Sequence, residues 1–209
     1  MKDKFKKCLK IVFPFKKINF FVLSLFLFGL ILGAVFSTTI SINDRNLVIE
    51  KITTFINNIN DGLIDYGITF KNSLSINYIY LFFILILGMT LIGIIFNIIL
   101  LFLKGFIIGF SLASFIITFG YKGIILSSLY LIFGQLLNIL VVLVATIYSI
   151  VFSYKLLLVI FKNKNIELKH FFKSYLFISA ILIVISLISS VSESWLLPMF
   201  IKLISNIFI

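Results

Sequence analysis

The feature that most constrains this chain is the recurrence of apolar runs about as long as a bilayer is thick. An α-helix rises about 1.5 Å per residue, so roughly 20 apolar residues cross the ~30 Å hydrocarbon core of a membrane. Residues 20–39 form the first such run, 78–103 the second, 105–119 a shorter third and 175–191 the last. Residues 124–161 are too long for one crossing and too short for two with a loop. The composition agrees, with 62% hydrophobic and only 12% charged residues and a mean hydropathy of +1.25. A water-soluble domain of 209 residues must still present a large share of its surface to solvent, and this chain has too few polar residues to cover it. Lipid as the outer solvent removes that demand, provided every backbone polar group is satisfied internally. The sequence therefore predicts an all-α, polytopic transmembrane helix bundle.

Charge placement predicts how the bundle lies. Lys2, Lys4, Lys6, Lys7, Lys10, Lys16 and Lys17 crowd the start, opposed only by Asp3, and Lys162, Lys164, Lys169 and Lys173 with His170 form a second basic run around Glu167. The stretch 43–71 is close to neutral, with Arg45, Lys51 and Lys71 against Asp44, Glu50, Asp61 and Asp65. Basic segments stay cytoplasmic while neutral ones are translocated. The expected layout is a cytoplasmic basic segment over 1–19 and one integral membrane domain over 20–209. That domain has about five spans, an external amphipathic loop at 40–76, a cytoplasmic basic loop at 162–173, and an N-in, C-out arrangement. Lys104 is read as the inner end of the second span. The break at Gly134-Gln135 makes 124–133 a short re-entrant or interfacial helix. The first run reads as an uncleaved signal anchor, being longer than an ordinary signal-peptide core and lacking a small-x-small site. Cys8 is a single thiol without an internal disulfide partner. Nucleic acid is excluded as the reason for a pI near 9.8, because the lysines abut apolar spans. The bacterial plasma membrane is the expected location.

Within the external loop, Ile52, Phe55, Ile56, Ile59, Leu63 and Tyr66 recur at three- and four-residue spacing between polar positions. This is an amphipathic helix that either covers the outer mouth of the bundle or offers a partner face built on Ile52, Phe55, Ile59 and Leu63. One His and one Cys are too few for a zinc site of ordinary ligand count, and the seven acids are scattered. No phosphate loop or nucleophile elbow is present, so neither enzyme activity nor a cofactor or metal is expected. The remaining signals concern packing. Gly29 and Gly33, and Gly105, Gly109 and Ala113, repeat small residues at four-residue spacing, which lets helix backbones approach closely. Asn97, Gln135 and Asn138 are amides at membrane depth, acting as interhelical glue or as substrate contacts. Glu193, beside the interface anchor Trp195, is expected to be solvated.

Taken together, three segments resemble the stage II sporulation protein M family. They are 96–110 (Phe96-Asn97 through Lys104-Gly105 to Gly109-Phe110), 121–126 followed by the Gly134-Gln135 break, and 192–198, which ends in Glu193 and Pro198. The likeness covers nearly the whole chain from the first span to Pro198. It departs from the family where a Pro-Gln-Asn-like break is usual and this chain has Gly134-Gln135-Leu136. The resemblance implies a role in endospore formation, as a scaffold in the mother-cell septal and engulfing membrane. There it would assemble and localise the peptidoglycan-degrading stage II D and P proteins, which carry the chemistry. A small multi-pass transporter or channel, or a membrane subunit of a larger transport complex, is the alternative reading. Oligomeric state stays open.

Overall fold

The computed structural model describes residues 16–162 and 168–208. Cys8, most of the basic 1–19 segment and the centre of the basic 162–173 loop lie outside the described residues. Helices follow one another in order: α1 (Lys16–Thr39), α2 (Ile42–Asn60), α3 (Tyr66–Gly88), α4 (Gly93–Phe119), α5 (Tyr121–Leu129), a π-helical turn Tyr130–Gln135, α6 (Leu136–Lys162), α7 (Leu168–Val191), a second π-helical turn Ser192–Leu196, and α8 (Leu197–Phe208). No strand occurs among the described residues. Five segments are long and apolar enough to cross a membrane: Lys16–Thr39, Tyr66–Gly88, Gly93–Phe119, Tyr121–Phe161 and Phe171–Ile204.

Local chemistry sets the helix boundaries. Ser41 caps α2, its hydroxyl accepting from the Asp44 amide at 3.2 Å and donating to the Asp44 carboxylate at 2.7 Å. Asp65 caps α3 by accepting from the Gly67 and Ile68 amides at 2.8 and 3.0 Å. Gly120, at φ 56°, supplies the left-handed residue that ends α4 and starts α5.

Three boundaries differ from those expected. The amphipathic helix runs Ile42–Asn60, so Leu63 falls in the following turn and Tyr66 opens α3. Consequently the external loop ends at 65 rather than 76. The expected spans 78–103 and 105–119 are cut elsewhere, because the chain turns at 89–92 and Lys104 lies in the middle of α4. Gly88 and Gly93 make that turn possible: a Cβ on Gly88 would collide with Ser149 and Tyr175, and one on Gly93 with the Leu87 carbonyl. The Ser153 hydroxyl donates to the freed Thr90 carbonyl at 2.6 Å. Finally, the expected break at Gly134-Gln135 does not separate 124–133 from the residues that follow. The chain runs helically from Tyr121 to Lys162 through the π-turn, which absorbs the Gly134-Gln135 irregularity without breaking the backbone ladder.

The bundle is organised around α6, which packs against α1, α3, α4 and α7. Its Val141, Val142, Ala145 and Ile147 meet Val22, Leu81, Ile84, Leu101, Ile108 and Leu182 in the main core. The most extensive pairing is α1 against α4. Here a Cβ on Gly29 or Gly33 would overlap the carbonyl oxygens of Phe102 and Phe106. In return, one on Gly105 or Gly109 would overlap those of Phe26 and Leu30. Backbone therefore rests on backbone across the crossing. Past the glycines, Ala113 is half-buried and the buried Ser37 and Ser114 hydroxyls share a hydrogen bond of 2.9 Å. A second apolar cluster caps one end of the bundle, where Ile56 and Ile59 of α2 meet Phe115, Leu126, Leu129, Leu197 and Ile201. This is the cap end, and the turn at 89–92 marks the far end.

Candidate functional site: a polar cluster inside the bundle

The two π-turns face each other and build the site. In each, a backbone amide bonds five residues back, Leu136 to Leu131 and Leu197 to Ser192, so the ladder slips by one residue and frees a carbonyl. Pro198 explains the second slip, since it has no N–H to offer the preceding turn. A freed carbonyl at this depth needs a partner, and the Ser192 hydroxyl donates to Phe133 O at 2.5 Å. Phe133 also stacks on Phe200, with ring centroids 4.1 Å apart, so the turns are joined by both polar and apolar contact.

Glu193 lies at the centre. Its carboxylate accepts from the Ser73 hydroxyl at 2.5 Å, from the Asn77 amide at 3.4 Å, and from the Gln135 amide at 3.2 Å. The Asn138 amide donates to Asn77 Oδ1 at 2.5 Å, and Asn77 also donates to Ser190 at 3.1 Å. Donors from α3 and the first π-turn thus converge on one acid of the second, and Asn138 of α6 buttresses Asn77 from behind. Ser73, Asn77, Gln135 and Asn138 are all buried, with Asn138 only 2% exposed. Glu193 itself is half-buried. The expectation that it is simply solvated is corrected, because the π-turn rotates it inward onto α3.

Lys104 stands nearby and is 9% exposed. Its ammonium lies 5.4 Å from the centroid of the Tyr80 ring, whose hydroxyl donates to the Leu100 carbonyl. A charged side chain at the centre of a membrane helix costs about 2.5–3.5 kcal/mol, which a ring face partly offsets.

The residues singled out in the sequence are distributed unevenly around this cluster. Gln135, Asn138 and Glu193 meet in it. Asn97 does not join their hydrogen bonds; it lies two turns from Lys104 on the same face of α4, fully buried, and both its amide atoms lack a partner among the described residues. Pro198 is fully buried beside Leu197. Gly29, Gly33, Gly105 and Gly109 sit in the α1–α4 crossing, away from the polar groups. Ile59 is buried in the cap with Ile52 and Phe55 packed against it, so this stripe faces the bundle, whereas Leu63 is 72% exposed. The sequence reading missed Ser73, Asn77 and Lys104. Lys104 was legible: it is the one charge in the apolar run 78–119, and at 42 residues that run is two crossings. Asn77 was not, since it was assigned to the edge of the external loop.

A family model described as Stage II sporulation protein M matches residues 22–198. That interval runs from within α1 through the second π-turn and includes both ends of the polar cluster, from Ser73 to Glu193. No curated protein and no solved structure matches the chain.

Proposed function

Because the chain belongs to the stage II sporulation protein M family, we propose that this sporulation-related multi-pass membrane protein is a scaffold. It assembles and localises peptidoglycan-degrading partners, the stage II D and P proteins, at the septal and engulfing membrane of the mother cell. The family match over residues 22–198 carries the reading. The wall chemistry belongs to the partners, and this chain contributes position. An N-in, C-out orientation would put the cap end outside, where the wall is. There the outward face of α2 presents Glu50, Asn57 and Asn58 to solvent, while its apolar stripe is spent on the cap. A polar face on a helix held rigidly by its own bundle suits docking of a soluble domain, since binding then orders little.

The test is affinity capture of the tagged chain from mildly solubilised sporulating cells. A peptidoglycan hydrolase should co-purify, and Glu50→Lys with Asn58→Lys should cut its recovery severalfold while the protein stays in the membrane. If no hydrolase accompanies the wild-type chain, the scaffold reading is wrong.

A further inference from the structure

The scaffold reading makes no use of the charges buried in the bundle. Lys104 is eleven residues past Gly93 on α4, and Asn77 is eleven residues before Gly88 on α3. Both therefore stand about 16 Å of helical rise above the turn at 89–92, near the middle of a ~30 Å hydrocarbon core. Glu193 shares that level through its hydrogen bonds to Asn77 and Ser73. Ionisable side chains at this depth mark ion or proton pathways.

A second observation lies along the same bundle axis. Gln135 Oε1, buried at the cluster, has no hydrogen-bond partner among the described residues. Toward the far end the same is true of both Asn97 amide atoms and of the Thr146 hydroxyl, each on a residue 0% exposed. Asn97 shares its helix face with Lys104, and Thr146 lies on α6, which packs against it. Nearer the far end, the Ser149 and Tyr175 hydroxyls are 2.9 Å apart, and Ser153 reaches the turn itself. Polar groups that a membrane interior leaves unpaired need a small hydrogen-bonding ligand, of which water is the smallest.

We infer that this lane binds and passes protons between the two ends of the bundle, with Glu193 and Lys104 as the two carriers. The charges choose the ligand. Glu193 and Lys104 balance each other, so a metal ion would add net charge beside an ammonium at membrane depth. No group of three His, Cys, Asp or Glu that could hold a metal occurs among the described residues. A proton adds no net charge if one arrives as another leaves. Glu193 takes a proton from the cap-end water while Lys104 releases one toward Asn97 and the far end. The carboxylic acid then returns its proton to the lysine amine through intervening water. Both groups regain their starting forms, one proton has crossed, and nothing is oxidised or reduced. Ser73, Asn77 and Gln135, which donate to the Glu193 carboxylate, hold it in register.

The purified full chain is placed in liposomes containing a pH-sensitive dye, and a potassium diffusion potential is set with valinomycin. Proton entry should exceed that of protein-free vesicles severalfold, without change when external sodium is replaced by choline. Glu193→Gln and Lys104→Met should each return it to the rate of protein-free vesicles. Asn97→Leu leaves both carriers and removes an unpaired amide, so it should fold at least as well as wild type and still lose flux. Asp61→Asn, in the exposed turn, should conduct as wild type does. Wild-type flux equal to empty vesicles overturns the proposal, as does sodium-dependent flux or unchanged conduction in well-folded Asn97→Leu. The vesicles contain no hydrolase, so this inference and the scaffold reading fail separately.

Discussion

Single residues in this protein are constrained most where backbones touch. Gly29 and Gly33 lie under the carbonyls of Phe102 and Phe106, and Gly105 and Gly109 under those of Phe26 and Leu30. Between lipid-facing helices the hydrophobic effect supplies little association, so close van der Waals approach does the holding. One added methyl is then enough to separate the pair. Gly109→Ala should destabilise the solubilised protein by about 1–3 kcal/mol, because the obstacle is the Leu30 backbone and cannot rotate away. Ile107→Val, on the exposed face of the same helix, should leave the thermal unfolding midpoint within error of wild type. Equal midpoints for the two variants would remove the glycine crossing from the determinants of stability. The glycine spacing was legible in the sequence. Which backbone each glycine would meet was not, because that depends on the parallel register of α1 and α4.

At the scale of elements, the amphipathic helix and the π-turns show opposite balances of local and tertiary cause. The periodicity of α2 and its Ser41 cap are local signals, and they yield the helix, which runs Ile42–Asn60 and stops short of Leu63. Its apolar stripe faces the cap because α8 and the end of α4 meet there, which no local pattern states. Ile59, 3% exposed, should tolerate no charge: Ile59→Asp is expected to cost more than about 2 kcal/mol and free α2 for proteolysis. Leu63→Asp, at a residue 72% exposed, should cut no faster than wild type. Comparable protease resistance in both would mean that α2 is not seated on the cap. The π-turns were visible in the sequence only as irregularities, at Gly134-Gln135 and at Pro198. Reading the first as a break was wrong because a π-turn keeps its backbone bonded while changing which side chains face inward.

For the whole molecule, five crossings follow from hydropathy whether the spans are cut at Lys104 or at 89–92. An odd number sends the two ends to opposite sides, and the basic segments at 1–19 and 162–173 are expected inside. Cysteines placed at Asn58 and Tyr121 should react with an impermeant thiol reagent on intact cells. One placed at Asn165 should react only after permeabilisation. Labelling of Asn165 from outside would invert the arrangement and with it the side on which α2 could meet a wall enzyme.

Helical class, number of crossings and family were determined by the sequence alone, because they depend on how many apolar residues stand in a row and on which residues mark their ends. Such quantities are sums along the chain. The polar cluster was decided only by the tertiary structure. Glu193 looked solvated and Lys104 looked terminal, since each is judged locally by the nearest polar neighbour. They became interior groups when the turn at 89–92 brought Asn77 level with Lys104 and a one-residue slip before Pro198 rotated Glu193 onto Ser73 and Asn77. A helix of 3.6 residues per turn changes a residue's environment by about 100° for each residue of slip. No amount of composition along the chain records that rotation.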